Sequence, residues 1–365
     1  MSDDPRQPFS PPGAPTPFAP PDADRPAAVP PGDPLAAARM DSRPPVTGEL
    51  AELRRFRDAV LAEVRKVIVG QDEALEGLLI ALLAQGHALL EGVPGTAKTL
   101  MVRALAGALG LEFGRIQFTP DLMPSDIVGT NVFDLKAGTF RLTRGPIFTE
   151  LLLADEINRA PAKTQSALLE AMQERQVSID GERHPLGEDY TVFATQNPVE
   201  QEGTYPLPEA QLDRFLLKIR VGYPSEQEED LILQSSVAAV GSVDIVEAGV
   251  RPVGTREMVH HARATGAKVR IEEPVRRYIR DLVRATRATP MIMLGAGPRA
   301  GVHLMVAARW SAALEGRTFV TPDDVVRVLH PVICHRLILA PEVELDGLGA
   351  EEVIDRVSAT VEVPR

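Results

Sequence analysis

The chain has 365 residues, 44% hydrophobic and 25% charged, the proportions of a globular protein with room for two domains. A net charge of −12 speaks against a general nucleic-acid surface, which needs Lys and Arg clustered on one face, though not against a local basic pore or groove. The lone cysteine, Cys334, leaves no internal disulfide and no thiolate zinc cluster, and suits a reducing compartment.

Residues 1–46 hold 14 of the 32 prolines. Such a stretch buries too little apolar surface to offset its ordering entropy, so a disordered, solubilising tail is expected. Its "PPGAPTPFAPP" could also dock, as a polyproline helix, in a proline-reading domain. Asp3 and Asp4 open the chain and no apolar signal-peptide core follows. The longest apolar run, "EGLLIALLAQGHALLEG", is broken by Gln85, Gly86 and His87 before it reaches the roughly 18 residues of a membrane span. A cytoplasmic protein is therefore expected.

From Thr47, "GELAELRRFRDAVLAEVRKVIVG" places apolar residues at helical spacing. Five apolar strands then alternate with helices: "HALLEG", "GRIQFT", "TELLLADE", "YTVFATQNP" and "FLLKIRVGYP". This alternation predicts an α/β fold with a parallel sheet covered on both faces. After Pro224 the segments "SEQEEDLILQSSV", "TREMVHHARAT", "PVRRYIRDLVRAT", "PRAGVHLMVAARWSAALEG" and "TPDDVVRVLHPVICHRLIL" all read as helices. The expected organisation is a tail over 1–46, an α/β core over 47–223 and a smaller, all-helical lid over 224–365.

The first strand runs into "GVPGTAKT" and then a helix. Glycines let backbone N–H groups turn inward on phosphates, a lysine reaches the same oxygens, a hydroxyl holds Mg²⁺, and the helix dipole points at the anion. Gly92, Gly95, Lys98 and Thr99 meet these needs. Val93, Pro94, Thr96, Ala97 and Leu100 complete the candidate nucleotide contacts. The usual form has glycine where Ala97 stands. A residue there is expected to be entering the helix, where alanine is tolerable.

Asp155 and Glu156 end the third strand, at the edge where α/β sheets bind ligands. Asp155 is the candidate Mg²⁺ ligand, through water, and Glu156 the candidate for polarising the attacking water. Asn197, after the fourth strand, could orient that water. Arg214, between helix and strand in "QLDRFLLKI", and Arg299, opening a helix in "GAGPRAGVHL", could each stabilise transition-state charge on a γ-phosphate.

At these residues the chain resembles the MoxR family of AAA+ ATPases, over roughly Glu49 to Leu345. The likeness is carried by "VIVGQDEALEGLLIALLAQGHALLEGVPGTAKT", "GRIQFTPDLMPSDIVGT", "LLLADEINRAPAKTQSALLEAMQERQVSIDG", "FATQNPVEQEGTYPLPEAQLDRF" and "GPRA". In that family alanine before the lysine is the usual form. The resemblance implies an AAA+ core with a helical lid, ATP and Mg²⁺ as ligands, and Val69 and Gly70 at the adenine. It implies Glu156 as catalytic base, Asn197 as first sensor, Arg214 as the arginine finger serving a neighbouring subunit, and Arg299 as second sensor. Arg159, in "EINRAP", is the alternative inter-subunit arginine. It further implies a homo-oligomeric, hexameric ring that remodels, matures or activates a protein client, often with a von Willebrand factor A domain partner.

"TNVFDLKAGTFRLTRG" and "RQVSIDGERHPL" read as two hairpins, the second turning at "DG". Alone they could be plain surface hairpins; the resemblance puts both on the inner or upper face of a ring. His330, Cys334 and His335 in "HPVICH" fit no standard zinc spacing. His260 and His261 are adjacent and cannot share a helix face. Trp310 is expected in the lid core. The competing functions are a metal-chelatase motor subunit, a GTPase-like switch, which lacks a guanine-reading Asn-Lys-x-Asp element here, and a small-molecule kinase, whose substrate lid differs from a helical domain with a sensor arginine.

Overall fold

Strand residues on the central sheet are apolar on both sides, and alternate residues leave for opposite faces. Leu90, Leu151, Leu153 and Phe193 enter one apolar cluster, while Leu89, Leu152, Ala154 and Val192 enter the other. A strand buried on both faces cannot show polar alternation, which is why these segments are continuous apolar runs.

The computed structural model describes residues 48–136, 138–198, 204–236 and 244–364. The expected tail lies outside them. Residues 46–365 form one unit. In chain order its elements are α1 (Glu49–Val64), α2 (Asp72–Leu83), β1 (Ala88–Glu91), α3 (Lys98–Leu109), β2 (Phe113–Gln117), α4 (Pro124–Val128), β3 (Gly129–Asp134), β4 (Thr139–Arg144), β5 (Leu151–Asp155), α5 (Ala162–Glu174), β6 (Gln176–Ile179), β7 (Glu182–Pro185), β8 (Thr191–Gln196), α6 (Glu209–Leu212) and β9 (Leu217–Arg220). There follow α7 (Glu226–Ser236), α8 (Arg256–Gly266), α9 (Glu273–Ala288), β10 (Ile292–Leu294), α10 (Pro298–Leu314), α11 (Pro322–Ile333), β11 (Ile338–Leu339), α12 (Pro341–Leu345) and α13 (Ala350–Ser358).

The sheet order is β2-β5-β8-β1-β9, all parallel. The five expected strands are all present. Because they are parallel, every strand delivers its C-terminal end to one edge of the sheet. Gly92, Glu156 and Asn197, which follow β1, β5 and β8, therefore lie along one edge, and the residues that precede the strands lie along the other.

Both hairpins form. β6 and β7 turn at Asp180 and Gly181, whose φ values of 50° and 87° are the pair of positive angles a two-residue turn requires. Asn131 in β3 donates to Asp180 at 2.9 Å and ties one hairpin to the other. On the β3–β4 hairpin Phe133 and Phe140 face each other across the strands, ring centroids 5.2 Å apart, and both are exposed.

The C-terminal half is helical, as its 3.6-residue patterning demands: α9 buries Val275, Tyr278, Ile279, Leu282 and Val283 on one stripe. Trp310 is buried in this half, packed against Gly266. One feature departs from the expected all-helical lid: it holds a two-stranded sheet, β10 with β11. The segment expected as a single helix ends at Ile333, turns through Cys334–Arg336, and its Ile338–Leu339 forms β11, antiparallel to β10. Pro331 inside α11 removes a helix hydrogen-bond donor one turn upstream, which favours that break. No helix among the described residues is long and apolar enough to cross a membrane.

Candidate functional site

The loop Gly92–Ala97 leaves β1 and enters α3 with its glycines where backbone crowding or sign of φ demands them. A Cβ on Gly92 would stand 2.3 Å from the Val221 carbonyl oxygen, and Gly95 has φ +85°. Ala97 corrects the expectation made for it. It is not yet helical: φ 59° and ψ 21° put it in the left-handed region, where a Cβ costs roughly 1–2 kcal/mol. Glycine is usual at this position because it carries no such cost. Glu156, at φ 57°, and Gln71, at φ 58°, are held the same way. Non-glycine residues in this region persist only where the surroundings over-determine them, and such strain gathers at functional sites.

The Lys98 ammonium lies over the loop, donating to the Gly92 and Val93 carbonyls at 2.8 and 2.7 Å. Burial draws its pKa below the ordinary lysine value, against the opposing pull of Asp155 and Glu156. Asp155 is buried, and its carboxylate is shared among three elements. Oδ1 accepts from the Thr195 hydroxyl at 2.6 Å, and Oδ2 accepts from the Thr99 hydroxyl at 3.1 Å and from Arg115 Nη2 at 2.7 Å. Thr195 in turn accepts from the Glu156 N–H at 2.8 Å, and Gln117 donates to Glu156 Oε2 at 2.7 Å. Arg159 also pairs with Glu156, at 3.2 Å. Asn197 follows β8, which lies between β5 and β1, and the Gly92 N–H bonds the Gln196 carbonyl beside it. Val69 and Gly70 reach the same edge: Gln71 donates to the Gly222 carbonyl at 3.0 Å, next to the Val221 carbonyl that crowds Gly92. The structure thus gathers Val69, Gly70, the loop, Asp155, Glu156 and Asn197 on one edge of the sheet.

Thr195, Arg115 and Gln117 were not singled out from the sequence. Arg115 and Gln117 alternate on β2, a pattern that reads equally well as the solvent face of an outer strand. Thr195 is a polar residue fully buried beside the Asp155–Glu156 pair, and "FATQNP" carried that signal unread.

Arg214 and Arg299 are elsewhere. Together they line a cavity of about 310 Å³ with Gly86, His87, Arg175 and His303. Gly86 and His87 precede β1 and Arg214 precedes β9, so this cavity sits at the N-terminal edge of the sheet. The strand β1, about 13 Å long at its four residues, separates it from the phosphate loop. Arg175 is occupied by the Glu188 and Gln85 carbonyls. Arg299 has Asp213 at 3.7 Å. The Arg214 guanidinium has no hydrogen bond or ion pair among the described residues. His87 accepts from the Val192 N–H and donates to the Met172 carbonyl, and burial pulls its pKa down to about 4. Burial, then the charges of Arg336 and Arg299, also lower His303 to about 4. Both are neutral at pH 7, so the cavity's positive charge is that of its arginines.

The residues of "HPVICH" part company. His330 bonds Asp355, His335 bonds the Phe215 carbonyl, and burial pushes the Cys334 thiol up to about 12.

A model of the ATPase family associated with various cellular activities (AAA) matches residues 87–217, and an AAA lid-domain model matches residues 284–357. The chain is 44% identical to Chaperone MoxR1 of Mycobacterium tuberculosis, over 90% of this chain and 88% of that protein. It is 35% identical to Protein MoxR of Paracoccus denitrificans, over 85% and 96%. The chain belongs to the MoxR family of AAA+ ATPases. A solved structure from Cytophaga hutchinsonii superposes on it with a TM-score of 0.79 at 40% identity, covering 91% of this MoxR-family chain and 99% of that one. The fold is accordingly the AAA+ core with a helical lid. MoxR-family membership does not favour the chelatase alternative.

Proposed function

We propose that this chain is one subunit of a ring, hexameric as the family resemblance implies, that hydrolyses ATP and uses the cycle to remodel or activate a protein client. Lys98 and the loop N–H groups hold the phosphates. Val69 and Gly70 contact the adenine. Glu156 takes the proton of the attacking water, which Asn197 orients. Mg²⁺, when bound, neutralises charge on the β- and γ-phosphates; Thr99 and Asp155 fit it, being a hydroxyl and a carboxylate already 3.1 Å apart.

The observation that carries the reading is Arg214, without a side-chain partner among the described residues, beside Arg299 in a cavity at the sheet edge opposite the loop. Neither arginine serves the nucleotide of its own chain from there. In a head-to-tail ring, that edge meets the phosphate edge of the next subunit, and both arginines act on the neighbour's γ-phosphate. Arg159, paired with Glu156 of its own chain, is the weaker candidate. The exposed Phe133–Phe140 pair supports assigning the β3–β4 hairpin to client contact. A von Willebrand factor A domain protein is the proposed partner.

The test is Mg²⁺-dependent ATP hydrolysis per subunit across a wide range of protein concentration. Specific activity is expected to rise as subunits assemble. Activity that is appreciable and flat down to monomer concentrations removes the shared site.

A further inference from the structure

Arg336 ends the short turn after α11, and its side chain is only 2% exposed. Burying a guanidinium is costly unless its charge and donors are answered. Nε donates to Asp213 Oδ1 at 2.8 Å. Nη2 donates to the Phe215 carbonyl at 2.6 Å and to the Asp213 carbonyl at 3.4 Å, and also to His303 Nδ1, while Nη1 donates to the Val332 carbonyl. The adjacent His335 adds a bond to the Phe215 carbonyl at 3.3 Å. The residues gripped, Asp213 and Phe215, flank Arg214. Asp213 also turns its other oxygen toward Arg299. A packing arginine needs only to be satisfied. This one is satisfied largely by the two residues either side of Arg214, which lines a cavity and has no side-chain partner among the described residues.

We infer that Arg336 is a positioning residue through which the lid of one subunit sets where Arg214 and Arg299 stand at the nucleotide of the next, an inference that rests on the ring reading above. A lid that shifts during its own nucleotide cycle carries this grip with it. The neighbour's active site then senses the state of the subunit beside it.

Mixed rings test this. Full-length Arg336→Met and Asp213→Asn are each combined with Glu156→Gln subunits, which keep both cavity arginines but lack the base; Arg214→Ala combined likewise is the control. Alone, Arg336→Met and Asp213→Asn are expected to hydrolyse ATP about 100-fold more slowly than the wild type, the loss that follows misplacement by about an ångström. Their affinity for a fluorescent ATP analogue is expected to be unchanged. Mixed with Glu156→Gln, each is expected to exceed the summed activities of its separate components several-fold, because the intact neighbour supplies correctly held arginines. Recovery by the Arg214→Ala mixture alone overturns the inference and leaves the ring reading standing. Recovery by none of the mixtures overturns the ring reading. Weakened analogue binding by folded Arg336→Met also overturns the inference, since the residue then acts on its own site. If Arg336→Met does not fold, the nearly isosteric Asp213→Asn decides alone.

Discussion

The two edges of the central sheet are finished to different degrees. At the phosphate edge almost every functional group has a partner within the chain: Lys98 on the loop carbonyls, Asp155 on two hydroxyls and an arginine, Glu156 on Gln117 and Arg159. At the cavity edge the framework is as firmly built, around the buried Arg336, yet Arg214, which it presents, is unpaired among the described residues. On the ring reading, the arginine left over at this edge is held for the neighbouring subunit.

That contrast breaks in graded ways. Arg214→Ala is expected to lower kcat about 10⁴-fold, the middle of the range for an arginine finger, with nucleotide affinity retained; equal losses of binding and turnover would make the cavity edge merely structural. Glu156→Gln is expected to cost about 10³-fold in hydrolysis, as loss of a general base does, while leaving rings that bind ATP. Steady-state kinetics beside nucleotide-binding titrations separate the two variants from loss of folding.

His87 sharpens the contrast by titration. Its folded pKa, about 4, lies below the ordinary 6.5. The unfolded chain therefore binds the proton more readily. The contribution to stability is full above pH 6.5 and is lost as pH falls toward 4, at up to about 1.4 kcal/mol per pH unit. Urea denaturation between pH 7 and 4 should show at least that slope, and His87→Gln should reduce it, with the similarly lowered His303 and His335 supplying part of what remains. At the phosphate edge, Thr195→Val should destabilise by about 2 kcal/mol, because it removes a buried bond to Asp155 and another from the Glu156 N–H. The smallest effect belongs to Ala97→Gly. Relief of the left-handed strain and the entropy cost of glycine nearly cancel, leaving under about 1 kcal/mol, in the stabilising direction. A clear loss of stability would show that Ala97 is not strained.

The phosphate edge was legible in the sequence because its residues are contiguous and their chemistry forces their types: a turn needing glycine, a cation, a hydroxyl, then two carboxylates closing an apolar run. The strands were legible because both faces are buried. The hairpins were legible from "KAG" and "DG". What was not legible depends on strands that meet only in the fold. Thr195 acquires its role from β5 beside it, and Arg115 and Gln117 acquire theirs from the same neighbour. The joint placement of Arg214 and Arg299 needs β9 and α10 brought together. The sign of φ at Ala97 is set by the loop's closure, which helix propensity does not report. β11 is too short to carry a pattern, and it continues a segment whose helical period runs straight into it.

The separation of the two edges has a consequence for inheritance. On the ring reading each subunit receives its arginines from one neighbour and lends its own to the other. A copy damaged at both edges then silences its own site and the one it should serve. Activity in a mixed population follows the square of the intact fraction rather than the fraction itself, so such a copy lowers activity by more than its own share.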